Sequence, residues 1–197
     1  MATFARKGFG QVEPNHLSGI VTGQIYAQLP AKFIDTNDSN AVKAVPQLEQ
    51  GVFMKYNYAA GYADRLEATD GEWLLVYCEE KLYDEREQSH KDFVMKATDN
   101  TDGYIYPRLI KTNVGDILTT NMFGALNTDR NATVGTSETI VEGNYLAPTD
   151  ATGILAVIKS SGTAVTSLSG VTGMVWKAVK VTTMPDGTPG VKLQRVQ

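Results

Sequence analysis

Cysteine and histidine are almost absent from this sequence, which contains one Cys and two His in 197 residues. A single cysteine, Cys78, excludes an intramolecular disulfide and any thiolate site that needs paired cysteines. The two histidines, His16 and His90, stand far apart and lack the His-x-x-x-His spacing of a zinc site. The sequence therefore predicts no metal site and no cofactor.

Long apolar runs and a surplus of positive charge are also missing. No stretch approaches the roughly 20 apolar residues that span a bilayer. The chain has 18 Lys and Arg against 22 Asp and Glu, a net charge of −4. We therefore expect neither a membrane nor a nucleic acid as the main partner. Arg6 and Lys7 near the start precede no apolar core, which predicts synthesis in the cytoplasm rather than export.

The motifs of enzyme chemistry are missing as well. The sequence contains no phosphate loop, no Gly-x-Gly-x-x-Gly after a strand and no Gly-x-Ser-x-Gly nucleophile elbow. Carboxylates gather between residues 79 and 87, but Lys and Arg are interleaved with them, as in a solvated loop. We predict that the chain is not an enzyme. A small β-fold hydrolase stays open as an alternative if Glu79 or Glu80 meets a second carboxylate at a catalytic distance.

Short segments with a period of two recur along the chain, separated by Gly, Asn, Asp and Pro. No window of 12 residues sustains a helical stripe, so the pattern predicts an all-β fold, a β-barrel or a sandwich. The segment 73–82 has apolar residues on both faces and predicts a central strand. Residues 160–173 predict a loop or an irregular strand tip. The other predicted strands are 20–29, 52–58, 93–97, 104–110, 117–120, 139–146, 154–159, 174–183 and 191–196.

Two turn signals have a clear mechanism. In the segment 184–190, Pro185 presets φ and Gly187 supplies a positive φ, which predicts a hairpin between the last two strands. The segments 114–120 and 141–149 share a glycine, then Asp or Asn, then a hydrophobic residue and Leu. This repetition predicts two similar turns that lead into strands.

The first 19 residues have neither a period of two nor one of 3.6. Such a segment cannot cover its own aromatic side chains, so it must lie against its own domain or a neighbour. We predict an extended N-terminal arm over residues 1–19 and one β-rich domain over residues 20–197, with a seam near residue 112. We predict that the arm contacts a neighbouring subunit through five of its own residues: Phe4, Arg6, Lys7, Phe9 and Val12.

Three features together resemble a known class of proteins. They are the opening Met-Ala-Thr-Phe-Ala-Arg-Lys-Gly-Phe-Gly-Gln-Val arm, the terminal hairpin over residues 179–196, and the barrel-like series Val114-Gly-Asp-Ile-Leu, Gly143-Asn-Tyr-Leu and Gly153-Ile-Leu-Ala-Val. With them the chain resembles auxiliary structural proteins of tailed-phage particles, such as capsid decoration (cement) proteins. The resemblance implies a protein on the virion surface that binds the capsid lattice non-covalently and stabilises the shell. It also implies a homo-oligomer, often a trimer, whose partners are the major capsid protein or other virion subunits.

The nine tyrosines leave an alternative function open. Several of them lie around predicted strand ends, where aromatic rings stack on sugars or pack at an interface. A carbohydrate- or receptor-binding module of a phage tail or fibre would gather these rings in one exposed groove: Tyr56, Tyr58, Tyr104 and Tyr106.

Overall fold

The computed structural model confirms the prediction of an all-β fold. It describes residues 2–3, 10, 12–16, 25–28, 30–31, 47–59, 61–64, 72–77, 94–96, 106–124, 139–149, 153–184 and 187–197. All regular structure in these residues is strand. Among them, no helix long and apolar enough to cross a membrane is found.

The strands of the described residues are short, apart from the last two. In chain order they are β1 (Ala2–Thr3), β2 (Val12–His16), β3 (Ile25–Gln28), β4 (Gln47–Glu49), β5 (Phe53–Asn57), β6 (Tyr62–Asp64), β7 (Trp73–Val76), β8 (Val94–Lys96), β9 (Arg108–Lys111), β10 (Ile117–Thr120), β11 (Thr139–Ile140), β12 (Tyr145–Pro148), β13 (Leu155–Val157), β14 (Lys159–Ser160), β15 (Thr163–Ala164), β16 (Trp176–Thr183) and β17 (Pro189–Arg195).

A five-stranded antiparallel sheet has the order β3-β9-β7-β5-β6, with β7 in the middle. All four side chains of β7 are buried. Trp73 and Leu75 belong to the core between the two main sheets, whereas Leu74 and Val76 belong to a second core on the other face. The prediction of a central strand is thus confirmed over residues 73–76, and the strand ends before Tyr77. Burial on both faces explains the apolar residues on both faces. Residues 78–82 lie outside the described part.

A six-stranded antiparallel sheet has the order β13-β12-β16-β17-β10-β2. Its inner face packs on the five-stranded sheet, where the rings of Trp176 and Phe53 lie 6.0 Å apart between centroids. A bridge joins Phe123, just after β10, to Leu155 in β13. Because β10 and β13 lie near opposite ends of the strand order, this bridge curls the sheet and makes the fold barrel-like. The chain passes from the five-stranded to the six-stranded sheet between β9 and β10, next to residue 112.

The predicted hairpin between the last two strands is confirmed. β16 and β17 pair antiparallel along nearly their whole length. The turn is closed by hydrogen bonds from Met184 N to Thr188 O at 2.6 Å and from Gly187 N to Met184 O at 2.9 Å. Gly187 has a φ of 81°, which residues with a Cβ rarely adopt.

The two predicted turns are confirmed and share one hydrogen-bond scheme. In the first turn, the carboxylate of Asp116 accepts from Asn113 N at 2.8 Å. In the second, the side-chain oxygen of Asn144 accepts from Val141 N at 2.9 Å. The glycine before each acceptor has a positive φ, 98° at residue 115 and 92° at residue 143.

The second turn corrects the prediction of one strand over residues 139–146. β11 ends at Ile140 and β12 starts at Tyr145, because the positive φ at Gly143 breaks an extended chain. The prediction for residues 160–173 also needs a change. Ser161 and Gly162, both with a positive φ, join β14 and β15 in a small hairpin at the start of that segment.

Candidate interaction surface

The structure places the described parts of the N-terminal arm on the chain's own domain. β2 is the edge strand of the six-stranded sheet and pairs antiparallel with β10, and β1 pairs in the same way with β11. Val12 is 7% exposed and belongs to the core, so its side chain is not offered to a partner as predicted. The other predicted contact residues lie outside the described residues: Phe4, Arg6, Lys7 and Phe9.

Gly10 shows how closely the middle of the arm lies against the domain. Its N–H donates to Glu49 Oε2 at 2.6 Å. A Cβ at this position would lie 2.0 Å from the backbone oxygen of Gln50 and 2.7 Å from Met122 Sδ. Such a contact with backbone cannot be relieved by rotating a side chain, so only glycine fits.

The described residues leave the outer face of the β16–β17 hairpin uncovered. Along β16, Trp176 and Ala178 point into the core and Lys177 is exposed. Along β17, Val191 and Leu193 are buried, while Lys192 and Gln194, which alternate with them, are partly exposed. We call this outer surface the lysine face, and its members are Lys177, Val179, Lys180, Lys192 and Gln194.

A β-bulge shapes the lysine face. The pairing of β16 with β17 shifts between Ala178 and Lys180, so Val179 is an extra residue without its own partner in the ladder. Val179 remains 45% exposed and Lys180 is exposed beside it. A bulge that keeps two consecutive residues at the surface re-aims side chains that simple alternation would send inward.

The bulge also sets two cations opposite each other. Lys180 pairs in register with Lys192, and Lys177 pairs with Gln194 two residues further along β17. Two residues of an antiparallel strand rise about 7 Å, so the three lysines lie within reach of one ligand surface. Directly opposed like charges destabilise a sheet. No ion pair of these three lysines occurs within the described part of the chain.

An aromatic ring borders the lysine face. Tyr145 in β12 pairs with Lys177, and the ammonium of Lys177 lies 5.9 Å from the centre of its ring. The ring holds the lysine over the sheet by a cation–π contact, at the outer limit of that interaction. The surface therefore combines positive charge with apolar and aromatic area, a composition that suits contact with another protein.

The tyrosines do not gather in one groove, as far as the described residues show. Tyr58, 71% exposed in the β5–β6 turn, packs edge-on against Tyr56 at 5.0 Å between ring centroids. The ladder pairs Lys55 with Trp73, which places this turn beyond the start of β7. Tyr106, 48% exposed, precedes β9 and lies beyond the other end of β7. Tyr104 lies outside the described residues.

A second polar cluster lies where the two sheets meet. One carboxylate oxygen of Glu72 is 2.8 Å from Arg195 Nη2, and the other is 3.0 Å from Lys111 Nζ. Both oxygens of the carboxylate are therefore engaged by cations. A catalytic base needs a free oxygen that can accept a proton, so Glu72 is better suited to a structural ion network.

The residues considered for catalysis are mostly outside the structure's described part. Cys78, Glu79, Glu80 and His90 all fall there, and for His16 only the backbone position at the sheet edge, opposite Ile117, is defined. Among the described residues, no group of three or more His, Cys, Asp or Glu side chains is placed to hold a metal ion.

Sequence reasoning missed the lysine face. Alternation along 176–180 and 191–195 places Lys177, Lys192 and Gln194 on one side, and this signal was available. The bulge at Val179 could not be predicted from sequence, because a register shift depends on the partner strand.

Comparison with known proteins finds no family model, no curated protein and no solved structure that matches this chain. What the surface binds must therefore be inferred from its own charge and exposure.

Proposed function

We propose that this chain is a non-enzymatic structural subunit of an assembled particle. In its specific form, the proposal is a capsid decoration protein that binds the capsid lattice of a virion non-covalently and stabilises the shell. The observation that carries it is the lysine face, a broad sheet surface with its opposite side packed in the core and its outer side uncovered by the described residues.

A subunit added to a shell needs a rigid surface of complementary shape and charge rather than a reactive centre. β16 and β17 meet this need because they are the longest strands among the described residues. Their inner side chains are almost fully buried: Trp176, Ala178, Val191 and Leu193. A surface held in this way loses little conformational freedom on binding. Repetition over a lattice then multiplies modest contacts through multivalency.

The proposal assigns only part of the predicted arm to the contact with a partner. Because Ala2–Thr3, Gly10 and Val12 contact the chain's own domain, we assign the arm's contact with a partner to residues 4–9. Phe4 and Phe9 would supply apolar anchors, and Arg6 and Lys7 would supply charge. The partner in this proposal is the major capsid protein or another virion subunit.

Gold labelling tests the particle assignment. A tag at the C-terminus of the chain is labelled with gold. Electron microscopy then locates the label on virions that contain the tagged chain. We expect regularly spaced label on the capsid surface. Particles without label, under conditions in which the free chain is labelled, would overturn the proposal.

A pair of variants tests the arm. Phe4→Ser combined with Phe9→Ser should abolish co-sedimentation with particles that lack the chain, while the melting temperature stays unchanged. Val114→Ser is the control, because Val114 is 66% exposed and lies in the turn before β10, outside residues 1–19. Equal binding of both variants would exclude the arm from the contact.

A further inference from the structure

We propose that the lysine face binds a cluster of carboxylates on the capsid subunit, so that salt and the charge of three lysines control this contact. The inference rests on the proposed function, because it states the chemistry of the surface that the capsid partner presents. It depends on the register of the β16–β17 hairpin and on the surroundings of its three lysines: Lys177, Lys180 and Lys192.

The register of β16 with β17 determines where the three lysines lie. Lys180 pairs directly with Lys192, and Lys177 pairs with Gln194, two residues further along β17. Opposed Cβ atoms in an antiparallel pair lie about 4.5–5.5 Å apart, and two residues along a strand rise about 7 Å. The bases of the three side chains therefore form a triangle with sides of about 5–8 Å. A partner surface with two or three carboxylates at that spacing matches it.

The opposed lysines determine the sign of the partner's charge. Like charges directly opposite each other destabilise a sheet. Within the described residues, neither Lys180 nor Lys192 has an ion pair. Carboxylates from a partner would neutralise this repulsion on binding, whereas a basic surface would add to it. The surface that fits the lysine face is therefore acidic.

Apolar area between the charges favours a protein surface as the source of the carboxylates. Val179, which the bulge holds 45% exposed, lies next to Lys180, and the ring of Tyr145 borders Lys177. A protein surface removes these apolar side chains from water, whereas a small free anion leaves them exposed. Charge then selects the partner surface, and the apolar contact adds affinity that salt does not weaken.

The neighbouring strand limits the size of the contact. Thr119 in β10 pairs with Lys192 and is only 3% exposed, so the open surface ends at β17. The open strands are β12, β16 and β17, and three adjacent strands span about 10 Å. A contact of this width is weak by itself, which agrees with a subunit whose binding is multiplied by repetition over a lattice.

Co-sedimentation with particles that lack the chain tests the inference at about 0.1 M and about 1 M NaCl, where the Debye length is about 10 Å and about 3 Å. We expect the wild type to bind at least about tenfold more weakly in high salt. Lys192→Gln should weaken binding at least about threefold in low salt and change it little in high salt. Two controls should bind like wild type: Lys192→Arg, which keeps the charge, and Lys159→Gln on the exposed strand β14.

Thermal denaturation separates a binding defect from a folding defect. Lys192→Gln removes one of two opposed charges, so its melting temperature should hold or rise. Lys180→Gln makes the same test from the other strand. Wild-type binding that does not depend on salt, or tight binding of both glutamine variants in low salt, would overturn this inference and leave the proposed function standing. A wild-type chain that binds no particles at either salt concentration would overturn both.

Discussion

Arg195, at the end of the last strand, joins the two main sheets through an ion pair with Glu72, Nη2 to Oε1 at 2.8 Å. Its Nη1 donates to the carbonyl oxygen of Thr112 and, at 3.0 Å, to the hydroxyl of the same residue. Its Nε donates to the carbonyl oxygen of Gln197 at 3.1 Å. One guanidinium thus ties together the C-terminal strand, the start of β7 and the connection between the sheets.

Removing this guanidinium should destabilise the fold. Arg195 is 9% exposed, so Arg195→Ala leaves the polar groups of Thr112 without their partner in a buried environment. We expect a loss of about 2–4 kcal/mol in the free energy of unfolding, or about 5–15 °C in melting temperature. Urea and thermal denaturation measure both quantities.

Lys111→Ala is the control for that prediction. Lys111 also pairs with Glu72, at 3.0 Å, but its side chain is 47% exposed. A solvated ion pair contributes little, so we expect a loss within about 1 kcal/mol. Equal losses for the two variants would contradict the role assigned to Arg195.

The two similar turns are related by a local twofold axis through the β16–β17 ladder. Gly115 N donates to Arg195 O, and Arg195 N donates to Asp116 O. The second turn repeats both bonds with Ala178, which occupies the position of Arg195. Since Ala178 pairs with Leu193 and Trp176 pairs with Arg195, the axis passes through the pair formed by residues 177 and 194.

This equivalence predicts which side chains the second turn accepts. Asn144→Asp keeps an oxygen for Val141 N, and Asp116 performs this role in the first turn, so stability should change by less than about 0.5 kcal/mol. Asn144→Ala removes the acceptor and should cost about 0.5–1.5 kcal/mol. Urea denaturation compares the two variants. Equal losses would mean that the side-chain bond does not stabilise the turn.

Local patterns predicted much of the fold. The turn residues at 184–190 and the glycines at 115 and 143 act through their own φ angles, so they are readable from sequence. The two-sided apolar pattern after Trp73 revealed a central strand because burial on both faces leaves no polar alternation.

The features that the sequence did not predict depend on contacts between distant residues. Alternation puts Arg195 on the inner face with Val191 and Leu193, but a buried cation is stable only with partners, and Glu72 lies 123 residues away. The close packing of Gly10 also depends on a distant segment, because the backbone oxygen nearest to it belongs to Gln50. Such pairings arise from the packing of the sheets, which no single segment encodes.

Gly10→Ala should loosen the arm. The new Cβ would overlap the backbone oxygen of Gln50, so the arm must shift away from the domain. We expect a loss of about 1–3 kcal/mol and faster proteolysis near residues 10–16. Gly61→Ala is the control, since Gly61 has a φ of 76° but no atom within 4 Å of the added Cβ. It should cost only the backbone strain, about 1–2 kcal/mol, and leave proteolysis of the arm unchanged.

Trp176 combines full burial with a polar atom that has no hydrogen-bond partner. Its side chain is 0% exposed, and Nε1 is one of two buried side-chain atoms left unsatisfied within the described part of the chain. Trp176→Phe gives up ring volume but also removes an unpaired N–H, whose burial costs about 1–3 kcal/mol. The two effects oppose each other.

Trp176→Phe should therefore cost less than about 2 kcal/mol, whereas Trp176→Ala should cost about 3–5 kcal/mol. Trp73→Phe is the matched comparison, because Trp73 is 8% exposed and has no unsatisfied buried nitrogen. The centre of its ring lies 4.5 Å from Lys55 Nζ. That variant loses ring volume and part of a cation–π contact without relieving an unpaired donor, so it should lose more than Trp176→Phe in urea denaturation. The reverse order would show that the indole nitrogen of Trp176 imposes no penalty on the core.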